Sequence, residues 1–153
     1  MAMDNEKREV FTRVLEEVLE QLAFMFGKVV DKEEIFTENE KYLHVTMEFK
    51  GAQTGDVGIA ISAWLGVVLA SNILGIDEGE EVALDKSADA LKELLNIVCG
   101  QLLTTVYGEE PVFDLTVPEL VELDKVEWMN LVDSPETIVM MVEGVPMVAH
   151  ASF

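Results

Sequence analysis

The residues best placed to do chemistry lie in the segment DALKELLNIVCG, positions 89 to 100. With Asp89 at zero on a helix turning about 100° per residue, Glu93 falls near 40°, Asn96 near 340° and Gly100 near 20°. Leu91, Leu94, Leu95, Val98 and Leu102 fall opposite, between about 140° and 240°, and form the face that would bury. Glu93 offers a carboxylate that can pair with a partner's lysine. The Asn96 carboxamide carries a donor and an acceptor and can hold a water molecule without titrating. The stripe has no nucleophile, no histidine base and no metal cage, so it makes a poor stand-alone hydrolase. It makes a reasonable half-site. A partner presenting a phosphoryl group already bound to its own divalent cation and lysine would need only a clamp on that lysine and a water aimed in line.

The plain alternative is a solvated helix face. An exposed asparagine costs roughly 0.5 kcal/mol of helix propensity relative to alanine, a loss common on natural surfaces. Gly100 adds about 1 kcal/mol on the same line, where the missing side chain would let a partner approach closely. Two losses on one exposed line favour docking.

This helix, about Ser87 to Tyr107 and ended by Gly108, is one of two long ones. The other runs from Asn5 to Phe26, with Phe11, Val14, Leu15, Val18, Leu19, Leu22 and Phe26 at helical spacing and Asp4 or Asn5 as cap, and stops at Gly27. Between them the pattern predicts a hairpin, Tyr42 to Lys50 and Val57 to Ser62, then a short apolar helix, Ala63 to Leu74, ended by Gly75. An acidic loop follows, with the charge run Asp77 to Glu81. Beyond Val112 come the β-type runs VFDLTV, PELVELDKV, TIVMMVE and VPMVAHASF, the last two joined at Glu143 to Val145. The order predicts an α+β fold, with two long helices packed on one face of a largely antiparallel sheet and a possible internal duplication. No long linker divides the chain, so one domain over 1–153 is expected.

Thirty acidic residues oppose ten basic ones, a formal charge of -20. No window gathers a cationic groove, which argues against nucleic acid, anionic membranes and free polyphosphates and in favour of a protein partner. No apolar run reaches the ~18 residues of a spanning helix, and no leader is evident, so a cytoplasmic protein is expected. The single cysteine, Cys99, excludes an internal disulfide.

Asp89, Glu93, Asn96 and Gly100, with Pro118 at 22 residues beyond Asn96, resemble the signature of the chemotaxis phosphatase family that includes CheC, CheX and FliY. GAQTGDVGIAIS resembles that family's first hairpin, and the element order matches over nearly the whole chain. The resemblance implies dephosphorylation of the aspartyl phosphate of a CheY-type receiver domain. Glu93 would engage the receiver's lysine, Asn96 would position the attacking water, and Asp89 and Gly100 would contact the partner. The receiver would supply Mg2+, so no cofactor of the chain's own is implied. On the first helix the corresponding stripe is Arg13, Glu17, Glu20 and Phe24. Glu20 stands where asparagine would be needed and would bring negative charge toward the phosphoryl group. One active helix is therefore expected, the CheX-like arrangement. That arrangement also implies a homodimer with joined sheets, for which VPMVAHASF is a candidate strand, a buried strand of the monomer being the other account of it.

Other residues invite plainer readings. His44 and His150, about a hundred residues apart, are expected to be structural or surface histidines. Trp64 and Trp128 are expected at core or boundary, Cys99 to be inert, and only one of Met140 and Met141 to face inward. Two competing functions keep the fold: a non-catalytic receiver-binding adaptor, and an acidic ligand-sensing module with a cavity under the short helix Ala63 to Leu74.

Overall fold

A computed structural model describes residues 3–35, 41–75 and 84–153. Helix α1 (Asn5–Ala23) starts where the Asp4 side chain accepts a hydrogen bond from the Lys7 amide at 2.8 Å. It ends earlier than its apolar pattern suggests. Phe24 turns left-handed at φ 56°, the Met25 amide closes back onto the Leu19 carbonyl, and Gly27 begins a strand instead of capping the helix. Strand β1 (Gly27–Val29) is too short to show a period. A 3-10 turn (Lys32–Glu34) follows, then the hairpin β2 (Lys41–Lys50) and β3 (Gly55–Ser62), as the alternation predicts. The Ser62 side chain caps α2 (Ala63–Leu74), and Gly75 ends it at φ 70°. The acidic run Asp77 to Glu81 lies outside the described residues. Helix α3 (Leu84–Tyr107) ends at left-handed Gly108.

The C-terminal half departs from the sequence pattern in one respect. VFDLTV yields only the two-residue β4 (Asp114–Leu115), and PELVELDKV is a strand only as far as β5 (Glu119–Asp124). Lys125–Asp133 is then a helix, α4. Asp124 accepts from the Glu127 amide at 2.8 Å while the Glu127 carboxylate accepts from the Asp124 amide at 3.2 Å, a reciprocal capping box. Strands β6 (Thr137–Val142) and β7 (Val145–Ser152) are joined by Glu143 and Gly144, both at positive φ, the two-residue turn that suits sheet twist.

The seven strands of the described residues form one antiparallel sheet, ordered β1, β6, β7, β3, β2, with β5 and β4 end to end along the outer edge of β2, β5 against Lys41–Thr46 and β4 against Phe49 and Lys50. Strand β7 is thus central, paired with β3 and β6 on its two sides, and has no edge with which to join another sheet. The halves are interleaved in the sheet: β1 lies on β6 of the C-terminal hairpin, and β4 and β5 lie on β2 of the N-terminal one.

One sheet face carries Val45, Met47, Phe49, Ile59, Ile61, Ile138, Met140 and Ala149. With Phe11, Leu15 and Leu19 of α1 and Leu91, Leu94, Leu95 and Val98 of α3 they form the main core. Leu65, Leu69 and Ala70 of α2 are buried in the same core, and a Cβ on Gly66 would meet Ser87 and Leu43, so the space beneath α2 is filled. That removes the basis for a ligand cavity there. The opposite face is covered in part by α4, whose buried Trp128 stacks on Tyr42 at 4.1 Å between ring centres over Ala60, Val139 and Val148. Met140 points into the main core while Met141 is half-exposed on the α4 side. Trp64, by contrast, is more than half exposed. No helix among the described residues is long and apolar enough to cross a membrane.

Candidate functional site on the outer face of α3

The heptad-like run of leucines that anchors α3 in the core also fixes what faces out. Leu91, Leu94, Leu95, Val98 and Leu102 are buried, and Asp89, Glu93 and Asn96 are exposed on the opposite side, with Gly100 half-exposed in line with them. Among the described residues neither Glu93 nor Asn96 makes a side-chain hydrogen bond, and both are exposed. A Cβ built on Gly100 meets nothing within 4 Å, so nothing in the fold requires glycine there.

Next to this stripe, the Gln101 side-chain amide donates to the Glu17 carboxylate at 3.0 Å, tying α3 to α1. The corresponding residues of α1, Arg13, Glu17, Glu20 and Phe24, are all exposed, but they do not make an equivalent face. Glu17 is engaged by Gln101. Phe24, at 72 % exposure, lies past the end of the helix and presents a ring where α3 presents a bare backbone. Cys99 is buried, and burial pushes its thiol up to about 11, which keeps it protonated and unreactive at neutral pH. Among the described residues no group of three or more His, Cys, Asp or Glu could hold a metal ion.

The histidines behave otherwise than their sequence separation suggests. His44 on β2 and His150 on β7 point to the same sheet face, one on each side of β3, and their Nε2 atoms meet at 2.8 Å. The ring centres are 5.1 Å apart, which is the contact distance plus the two ring radii, so the nitrogens meet head-on and share one proton between a donor and an acceptor. Gly58 of β3 makes the passage: a Cβ there would lie 2.2 Å from the His150 Nε2. Burial, and secondarily the facing His150, pushes His44 down to about 4. Burial also lowers His150, with Glu136 pulling the other way. Asp56 is raised by burial and by its neighbours Glu136 and Glu48. The one sequence signal for this pair was a glycine inside an otherwise apolar strand, a mark of close approach from a neighbour.

The chain matches the family model "Chemotaxis phosphatase CheX" over residues 43–140, more than half its length. No curated protein matches it. Among solved structures it is similar to the chemotaxis protein CheX from Desulfovibrio desulfuricans, at 13% identity and TM-score 0.69 over 96% of this chain and 98% of that one. CheX from Vibrio vulnificus is similar at 18% identity and TM-score 0.66, over 95% of each chain. The CheX of a CheX-CheY-BeF3-Mg complex from Borrelia burgdorferi is similar at 17% identity and TM-score 0.60, over 95% of this chain and 96% of that one. With the helix-on-sheet architecture and the α3 stripe, the match over residues 43–140 makes this chain a member of the chemotaxis phosphatase CheX family.

Proposed function

We propose that the chain is a phosphatase acting on the aspartyl phosphate of a CheY-type receiver domain, using the outer face of α3 as its half of the active site. The observation that carries this reading is the placing of Glu93 and Asn96 on one exposed line, without hydrogen bonds to other described residues and followed by a glycine the fold does not need. That a family relative forms a complex with CheY supports it. In the proposed mechanism the Glu93 carboxylate forms a charge-assisted pair with the receiver's lysine and sets the register of docking. Asn96 then enters the receiver's site, where its carboxamide holds a water in line with the bond to the departing aspartyl oxygen. Because the amide is neutral, it adds no repulsion as negative charge builds on the phosphoryl oxygens. The receiver brings the phosphoryl group and its Mg2+. Asp89 and Gly100 complete the contact face, the glycine by letting the receiver's backbone come close to α3.

Phosphate release from a phosphorylated receiver of the same organism, with and without this protein, tests the reading. Asn96→Ala should lower the stimulated rate by about 100-fold or more, the scale for losing one positioned polar group at a reacting centre. Its thermal stability should stay within experimental error of wild type. Glu93→Ala should chiefly raise the concentration needed for half-maximal stimulation. Wild-type turnover in both variants would remove the assigned site. Receiver binding without stimulation would establish the adaptor function instead. A homodimer forms part of the same proposal. Since β7 is central, it would have to use an outer edge, of β1 or of β4 and β5, and sedimentation velocity measures it.

A further inference from the structure

The edge formed by β4 and β5 combines three properties that serve no purpose in the α3 site. Strand β5 pairs with β2 on one side only, so its second row of backbone N–H and C=O groups has no strand partner among the described residues. Along and beside it, six of the thirteen exposed large apolar side chains among the described residues fall within 18 positions. They include Val112 at 84 %, Val117 at 80 % and Val121 at 53 % exposure, and Val126 and Met129 on the adjoining turns of α4. The same stretch is strongly acidic: between Glu109 and Glu136 nine carboxylates accompany a single cation, Lys125.

Carboxylates alone would be the usual guard of an open edge against aggregation. A guard, however, gains nothing from uncovered valines on and around the strand it protects. The charge also tells against the simplest occupant, a second copy. Pairing β5 with its own mate would bring the three carboxylates of each strand, Glu119, Glu122 and Asp124, alongside three more with no cation on either strand, and like charges crowded across a strand pair destabilise it.

From this we infer that the β4–β5 edge is a docking strand for an extended segment of another protein in which apolar residues alternate with lysine or arginine. Backbone hydrogen bonds to β5 hold the segment, its apolar side chains cover Val121 on the α4 face of the sheet, and its alternating cations fall on the other face, where Glu122 and Asp124 point. The site lies at the sheet's edge and on the α4 side, away from the outer face of α3. Occupation of one therefore leaves the other open, and the edge can bring a third component to a receiver-bound molecule.

The test uses the full chain and two fluorescent heptapeptides of identical composition, one alternating lysine and valine (KVKVKVK) and one with the valines grouped (KKVVVKK), at 150 mM salt. The alternating peptide is expected to bind one per chain, at least tenfold tighter than the grouped one. Val121→Lys combined with Glu122→Lys should abolish that preference, while Asn96→Ala leaves it intact. Hydrogen exchange on the unaltered protein supplies a readout independent of any variant: amides of residues 119–124 should slow with the alternating peptide bound. Equal binding of the two peptides, unchanged exchange over 119–124, or a preference that survives the double substitution would overturn the inference. So would a concentration-dependent dimer of the wild type that the double substitution dissociates, since the occupant would then be a second copy.

Discussion

Removing one ring of the His44–His150 pair should change how the fold responds to acid, by an amount that follows from its surroundings. In the folded chain His44 is pushed down to about 4, against 6.5 for an unperturbed histidine, so between these values the unfolded chain takes up a proton that the folded chain refuses. Stability then rises with pH through the window from 4 to 6.5 and is lost as pH falls through it. Relative to neutral pH, the linkage amounts to about 2 kcal/mol at pH 5.0, and partial solvent access to the ring reduces this toward ~1 kcal/mol. His150 contributes in the same direction, since burial lowers it as well. A second proton on the pair would set two N–H groups against each other across 2.8 Å. The absolute acid response mixes this with relief of repulsion among thirty acidic residues, so the informative quantity is the gap between wild type and His44→Gln.

Urea denaturation at pH 7.5, 6.0 and 5.0 measures that gap while staying above the isoelectric point of about 4.2. At pH 7.5 wild type should be the more stable, because His44→Gln disrupts a buried contact and leaves His150 without its partner. By pH 5.0 the difference should have narrowed by about 1 to 2 kcal/mol, as only the wild type suffers the full proton penalty. A gap that stays constant within about 0.3 kcal/mol over the three values would mean that the rings do not meet as described. A gap that widens in acid would mean that the charged form is the favoured one, and would refute the reasoning outright.

Other substitutions separate fold from function. Gly100→Ala enters open space in a helix interior and should stabilise the chain by about 1 kcal/mol in denaturant, yet weaken receiver docking if the bare backbone is there for a partner; unchanged docking would return that position to an ordinary solvated face. Gly58→Ala places a Cβ 2.2 Å from the His150 ring and should cost roughly 2 to 4 kcal/mol through displaced packing and a lost hydrogen bond, a cost that a His150→Ala background should largely relieve in a double-mutant cycle. Asp124→Ala removes the cap of α4 and should cost about 1 kcal/mol, with a local loss of amide protection over 125–133 in hydrogen exchange.

What could be read from the residues, and what could not, divides by the range of the interactions involved. The α3 stripe was legible because a 3.6-residue period is local: Leu91, Leu94, Leu95 and Val98 fix the buried side, and Asp89, Glu93 and Asn96 then have only one way to face. The β2–β3 and β6–β7 hairpins were legible for a related reason, since the turn and the alternation lie within a few residues of each other. Helix α4 was lost among valines that suit a strand, although its signal was present in Asp124 and Glu127 at capping-box spacing and in Trp128 and Val132 one turn apart. Its nine residues are too few for a period to outweigh β propensity. The place of VPMVAHASF in the sheet depends on strand order, as does the contact between His44 and His150, and strand order is set by pairings between segments about a hundred residues apart, information no short window contains. A functional stripe carried on one helix can therefore be found from sequence, whereas a pair built across three strands announces itself only through the residue that had to be small to admit it.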